Sequence, residues 1–228
     1  MTQIDKTALR DAATVIVMRD SHVRPRILMG QRGATAAFLP NKYVFPGGAV
    51  DPVDGSIDLS LNPDVAAKLS EDSARPAPAL AAAAIRELWE ETGQILGRRG
   101  AWDEAPQGWR GFARSGHVPN AADLDFVFRA VTPAGRPRRF DARFFCVNAD
   151  HLASDPDDFS RAEDELSHLH WVPLDEVRGL DLPFITEVVL AEVSARVHGT
   201  APTTVPFFRN DDEAHLVTRL GGQSPLGQ

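Results

Sequence analysis

The chain has 228 residues, of which 43% are hydrophobic and 25% charged, an ordinary globular balance with enough length to bury a core. Its net charge of −8 argues against a general nucleic-acid or membrane-surface partner, and its single cysteine excludes an intramolecular disulfide framework. No apolar run approaches the ~18 residues a bilayer span requires, and no secretory signal is legible at the start, so a cytoplasmic protein is expected.

Residues 13–18 (ATVIVM) are a β-branched run that predicts a buried strand. Residues 20–25 predict a turn, and residues 26–32 (RILMGQR) a hairpin partner ending at Gly33. Residues 34–41 form a loop with apolar Phe38, Leu39 and Pro40. Residues 43–45 (YVF) predict a short strand, closed by Pro46-Gly47-Gly48.

Residues 51–78 are rich in Asp, Ser, Pro and Ala, with Asp51-Pro52 and Asn62-Pro63 as breakers. They read as a surface insertion. A short helix over 63–69 is expected inside it, with Asn62 as N-cap and Pro63 in the first turn.

Residues 79–93 (ALAAAAIRELWEETG) predict the main helix. Leu80, Ala84, Ile85, Leu88 and Thr92 share a packing face, and Gly93 is the stop. Glu87, Glu90 and Glu91 occupy one flank, because offsets of three and four residues bring side chains together. Arg86 faces Glu90 at an i, i+4 step. Three carboxylates side by side repel one another, by about 3 kcal/mol per pair at ~6 Å in a partly desolvated site. A solvated face neutralised by Arg86 would relieve this, and so would a divalent cation. Oxygen ligands of this kind suit Mg²⁺ or Mn²⁺.

Residues 97–119, with Trp102, Trp109 and Phe112, predict a short helix at GWRGFAR. Residues 120–131 predict another helix capped by Asn120. Residues 132–137 are a turn. Residues 138–148 (RRFDARFFCVN) predict a strand, and the charges of Arg136, Arg138, Arg139 and Arg143 suit either phosphate contact or an edge position. Residues 150–164 form an acidic loop. Residues 165–172 alternate, with Leu166, His168, His170 and Val172 on one face. His168 and His170 lack two further ligands for zinc, and Cys146 reads as a core thiol. A helical turn at 174–180, an amphipathic helix at 183–198, and strands at 204–209 and 215–220 complete the chain. The pattern is α+β, a mixed sheet flanked by helices.

Gly48 followed by Arg86-Glu87-Leu88-Trp89-Glu90-Glu91-Thr92-Gly93 resembles the Nudix box, GX5EX7REUXEEXGU with U aliphatic. Arg86 stands 38 positions after Gly48, where that pattern has 14, so 24 extra residues lie inside the box. An interrupted box resembles the branch of coenzyme A diphosphatase-like proteins related to the mammalian peroxisomal enzyme. Arg32 with Phe38-Leu39-Pro40, GGAVDPVD, TPAGRPRRFDARFF and Asp181-Leu182-Pro183-Phe184-Ile185-Thr186 carry that resemblance.

The resemblance implies a Nudix-type α/β/α sandwich as a single domain over 1–228. Insertions are expected at 52–78 and, helical, at about 98–131, with an extension at about 200–228. It implies metal-dependent hydrolysis of a diphosphate in a nucleoside diphosphate joined to another moiety. Coenzyme A or acyl-coenzyme A is the expected substrate, with ADP-ribose or a dinucleotide as the alternative. A non-catalytic ligand sensor is the third reading. Implied metal ligands are Glu87, Glu90, Glu91 and the carbonyl of Gly47 or Gly48, with Mg²⁺ or Mn²⁺ as the ion. Arg86 would orient a box glutamate. Glu165 or Glu87 would be the general base, with Glu163 as a further acidic candidate. Arg32 would contact the substrate diphosphate, with Phe38 beside it and Arg139 on a distal phosphate. Asp51 and Asp54 stand where the uninterrupted box carries glutamate, and serve either a metal-bound water or the turn itself. A homodimer is expected because dimers are common in the family.

Overall fold

A computed structural model describes residues 8–36, 38–209 and 217–220. Its spine is β1 (Leu9–Arg19). Ala13, Val15 and Val17 bury on one face of this strand and Ile16 on the other, the period-2 signature of a strand covered on both sides. β2 (Arg26–Arg32) returns antiparallel, pairing Met18 with Ile27. β3 (Tyr43–Val44) pairs with β2.

Pro46-Gly47-Gly48 does not simply close the preceding strand. Gly47–Ala49 is itself a strand, β4, laid antiparallel on β1 with Ala13 opposite Gly48 and Thr14 opposite Gly47. A Cβ on Gly47 would stand 2.6 Å from Ala13 O and Thr14 Cα, so only glycine permits the approach.

Pro52–Ser56 is a 3-10 turn, and α1 (Pro63–Ser70) follows as expected, with the Asn62 side chain accepting from the Asp64 amide. α2 (Ala77–Thr92) begins two residues before the expected start, with Pro78 in its first turn. It ends at Gly93, which takes φ 73° and donates its N–H to Trp89 O at 2.8 Å. Ala79 and Ala81–Ala84 are buried, and these small side chains let α2 lie close on the sheet.

β5 (Gly97–Arg99) pairs with β6 (His117–Pro119), and between them a 3-10 turn (Gln107–Trp109) leads into α3 (Arg110–Arg114). The helix expected over 120–131 is instead β7 (Asp125–Val131), antiparallel to β8 (Arg139–Asn148). Phe126, Val127, Phe128 and Val131 favour a strand, and a continuous buried ladder outweighs the cap signal. Asn120 Oδ1 accepts from the Ala122 amide at 3.3 Å, a turn bond two residues on. Helix in the expected 98–131 excursion is therefore confined to α3 and its 3-10 lead-in. β8 is no edge strand either. It lies between β7 and β1, parallel to β1 over ten residue pairs from Leu9–Arg139 to Met18–Asn148.

β9 (Leu166–Pro173) pairs with β2. Its register shifts between Met29 and Gln31, and His168 takes φ 50°. The bulge breaks the expected alternation: Leu166 and Val172 are buried while His168 and His170 are exposed. A 3-10 turn (Val177–Gly179) precedes α4 (Phe184–Val197), and β10 (Val205–Phe208) and β11 (Val217–Leu220) extend the sheet beyond β7. The expected last strand includes His215 and Leu216, which lie outside the described residues.

The sheet order is β11-β10-β7-β8-β1-β2-β3, with β4 on β1 and β9 on β2, in mixed directions. α2 packs with Ala13, Val15 and Phe145 on one face, and α4 with Ile16, Val127 and Phe144 on the other. The result is the expected helix–sheet–helix sandwich. No helix among the described residues is long and apolar enough to cross a membrane.

Candidate active site

Arg86 is the hub of the site. It is 4% exposed, and a buried guanidinium must spend its donors on partners. Nε donates to Asp54 Oδ1 and Nη2 to Asp54 Oδ2, both at 3.0 Å, a bidentate clamp across 32 residues of chain. Nη2 also reaches Ala49 O at 2.9 Å. Nη1 donates to Glu87 Oε1 at 2.9 Å and Glu90 Oε2 at 2.7 Å. Burial alone would lower the Arg86 pKa. The bonds to Asp54 and the charges of Glu87, Asp54 and Glu90 outweigh it, so the guanidinium stays charged.

Asp54 is fully buried at the end of this clamp, and its Oδ2 also accepts the Asp51 amide at 2.8 Å. Asp54 serves the turn, one of its two expected roles, and also anchors Arg86. The position six residues after Gly48, where the box carries glutamate, was the only sequence signal for it.

Glu87 and Glu91 meet the glycine strand, and Glu90 is joined to Glu87 through Arg86. Gly47 N–H donates to Glu91 Oε2 at 2.7 Å, and the Glu87 carboxylate lies directly over Gly48. Burial pushes the Glu87 carboxyl up to about 7, with Arg86 opposing and Glu90 and Glu165 adding repulsion. Glu90 is raised by burial against the pull of Arg86, and Glu163 adds to the rise. Glu91 is raised well above the ordinary range by burial and then by Glu87. Its Oε1 is buried without a hydrogen-bond partner among the described residues.

This cluster is short of positive charge. Arg86 holds Glu87 and Glu90 and the Gly47 amide holds Glu91, and among the described residues no trio of acidic, histidine or cysteine side chains stands ready-made around a metal position. The donor set nonetheless fits a hard cation: carboxylate oxygens only, one of them orphaned, all with raised proton affinity that a divalent charge would reverse.

Arg32 stands at the rim. Its Nε donates to Phe38 O and its Nη2 to Glu165 Oε1, each at 2.9 Å. Glu165 acts on both Glu87 and Glu91, and Arg32 on Glu91, so the expected base and the expected phosphate contact share one edge of the cluster. Glu163 donates its amide to Glu90 O at the end of α2. The Phe38 ring packs on Phe140 at 5.5 Å instead of over the carboxylates.

Arg139 is not brought in. It pairs with Leu9, four residues along β1 from the Ala13–Gly48 pair, roughly 13 Å away at strand rise. Its Nε donates to Thr132 O at 3.3 Å. Arg143 is spent as well, 1% exposed and bonded to Asp11, Asp141 and Ser73. Arg129 joins that buried network, clamping Asp141 and holding the carbonyls of Glu71 and Asp72. These arginines tie the return of the insertion to the sheet just ahead of α2.

Residues 8–193 match the family model described as "NUDIX domain". The chain is 29% identical over 176 residues to "Putative nudix hydrolase 7" of Caenorhabditis elegans, an alignment covering 72% of this chain and 51% of that protein. The chain thus spans about half the length of this curated relative. A crystal structure of a NUDIX hydrolase from Alicyclobacillus acidocaldarius superposes with a TM-score of 0.59 at 28% identity, covering 81% of this chain and 90% of that one. The NUDIX domain of Shewanella oneidensis NrtR, solved with ADP ribose, gives 0.50 at 12% identity over 83% and 89%, a likeness of fold. Glu87, Glu90, Glu91, Arg86 and the glycine strand all fall inside the matched residues, and the chain belongs to the NUDIX domain family, the family of the Nudix hydrolases.

Proposed function

We propose that this protein hydrolyses a diphosphate linkage in a nucleoside diphosphate joined to a second moiety, with Mg²⁺ or Mn²⁺ as cofactor. One observation carries the proposal: three neighbouring glutamates with raised proton affinity, Glu91 buried and Glu87 and Glu90 partly so, stand beside a glycine strand, and one oxygen of Glu91 has no partner among the described residues. Glu87, Glu90, Glu91 and the carbonyl of Gly48 would hold the ion. When bound, it would neutralise substrate phosphate charge and acidify the attacking water.

The chain's own residues supply the rest. Arg86 fixes the rotamers of Glu87 and Glu90, and Asp54 fixes Arg86. Arg32 faces the open side and would exchange Glu165 for the substrate diphosphate, releasing Glu165 as a candidate proton acceptor. We read residues 52–78 as an insertion within the Nudix box, which favours coenzyme A or acyl-coenzyme A as the first substrates to test. ADP-ribose and dinucleotides are the alternative.

The test is a panel of coenzyme A, acetyl-coenzyme A, ADP-ribose, NADH and dNTPs with each ion, analysed by mass spectrometry. Cleavage at the diphosphate supports the reading, and 3′,5′-ADP as product identifies coenzyme A. Ligand binding without turnover under either ion overturns it in favour of a sensor.

A further inference from the structure

A cavity of about 470 Å³ opens between the segment after the Pro52–Ser56 turn and the β5–β6 excursion. Ile57, Asp58, Arg98, Trp102, Glu104 and Pro106 line it. The Trp102 ring is set 5.7 Å from that of the fully buried Trp109, so one face is backed by core while the ring stays partly exposed. Arg98 is exposed, and its guanidinium has no hydrogen bond or ion pair among the described residues. Asp58 and Glu104 add carboxylate acceptors.

The cavity's lining segments lead to the Arg86 clamp. A Cβ on Gly108, two residues after Pro106, would stand 3.4 Å from Val53 Cγ1 and 4.0 Å from Arg86 Cδ. The segment that follows Pro106 thus packs beside Val53 and the stem of Arg86. Ser56, on the other wall, is two residues from Asp54, no more than about 7 Å of chain.

We propose that this cavity binds a nucleotide, with the base on Trp102, the ribose hydroxyls on Asp58 or Glu104, and the phosphate on Arg98. Aromatic stacking accepts any planar base, and an unpaired guanidinium is a ready phosphate partner. The inference rests on the diphosphohydrolase reading for its choice of ligand class. Two sources share this chemistry: the far half of a dinucleotide-type substrate, and a free mononucleotide.

Calorimetric titration of AMP into the full-length protein in a chelating buffer tests the site without turnover. Wild type should bind AMP. Trp102→Ala should weaken binding about tenfold, Trp102→Phe should restore it, and Arg98→Ala should weaken AMP but not adenosine. Arg98 is exposed and unpaired, so its variant keeps the fold. Absence of AMP binding, or binding lost in Glu90→Gln but unchanged in Trp102→Ala and Arg98→Ala, overturns the proposal. Kinetics with NADH and Mg²⁺ then separate the sources. A KM raised about tenfold in Trp102→Ala, with AMP competing, identifies the tethered half. A kcat shifted by AMP at unchanged KM identifies the free nucleotide. AMP binding that follows Trp102 and Arg98 in a protein inactive on every diphosphate would sustain this site while removing the hydrolase reading.

Discussion

The Glu87 carboxylate rests on Gly48 so closely that a Cβ there would lie 2.5 Å from Glu87 Cδ and Oε1. At the neighbouring Gly47 the obstacle is backbone, Ala13 O and Thr14 Cα at 2.6 Å. The two glycines should therefore fail differently. Gly48→Ala displaces the end of a flexible side chain, so the protein should fold with a near-normal melting temperature and lose activity. Gly47→Ala pushes β4 off β1 and should lower the melting temperature by several degrees. Equal melting temperatures for both variants would contradict this account of the strand.

The proton affinity of Glu87 predicts a pH dependence of the metal-free protein. Its carboxyl is raised from 4.5 to about 7, so the folded state holds a proton that the unfolded state releases. The stability this group contributes is full below about pH 4.5 and is lost as pH rises towards 7, up to about 3 kcal/mol. Glu91 shifts in the same direction. In chelating buffer the melting temperature should fall between pH 5 and pH 8, and Glu87→Gln should flatten that fall. Mg²⁺ should raise the melting temperature most at pH 8, where it no longer competes with the proton. A metal-free protein equally stable at pH 5 and pH 8 would refute the electrostatic picture.

Asp54→Ala should be among the most destabilising single changes near the site. It strands Arg86, buried and missing two bonds, and breaking such a pair costs roughly 3–5 kcal/mol. Chemical denaturation measures this, and a loss under 1 kcal/mol would show that Arg86 does not depend on the clamp.

Cys146 should be inert. Cys146 is half-buried and lines a surface cavity, but its apolar surroundings still raise the thiol to about 12, with Asp125 adding and Arg196 opposing, so little thiolate forms. A thiol reagent at pH 8 should label the native protein slowly and the unfolded protein at once. Rapid stoichiometric labelling of native protein would contradict this.

Much of the fold and part of the site was legible in the chain. The Ala79–Ala84 run, the Asn62-Pro63 cap and Gly93 are local signals, and α1 and α2 appear where they point. The 120–131 stretch reads as a helix because Asn120 offers a cap signal, whereas the strand depends on β8, which the chain reaches only later. The β9 bulge also escaped, since a register shift belongs to the pairing with β2. Within the site, the Arg86-Glu87-Glu90-Glu91 grouping follows from helical spacing. The Asp54–Arg86 clamp and the Gly47–Glu91 bond cross 32 and 44 residues and depend on how the insertion folds back. Arg139 and Arg143 look alike in sequence. Only the sheet order shows that Arg143 is spent on Asp11 and Asp141 while Arg139 sits four residues off along the strand.

The central claim is that Glu87, Glu90 and Glu91 form a metal-dependent hydrolytic centre. Glu90 is the mildest of the three to alter, since it is partly exposed and held through Arg86. The deciding measurement is turnover of the best diphosphate substrate by wild type and Glu90→Gln across a Mg²⁺ titration, with the melting temperature of each. The account predicts saturable Mg²⁺ dependence in wild type and at least a hundredfold loss in Glu90→Gln at an unchanged fold. Turnover by Glu90→Gln at the wild-type rate, or wild-type turnover in chelating buffer, would contradict it.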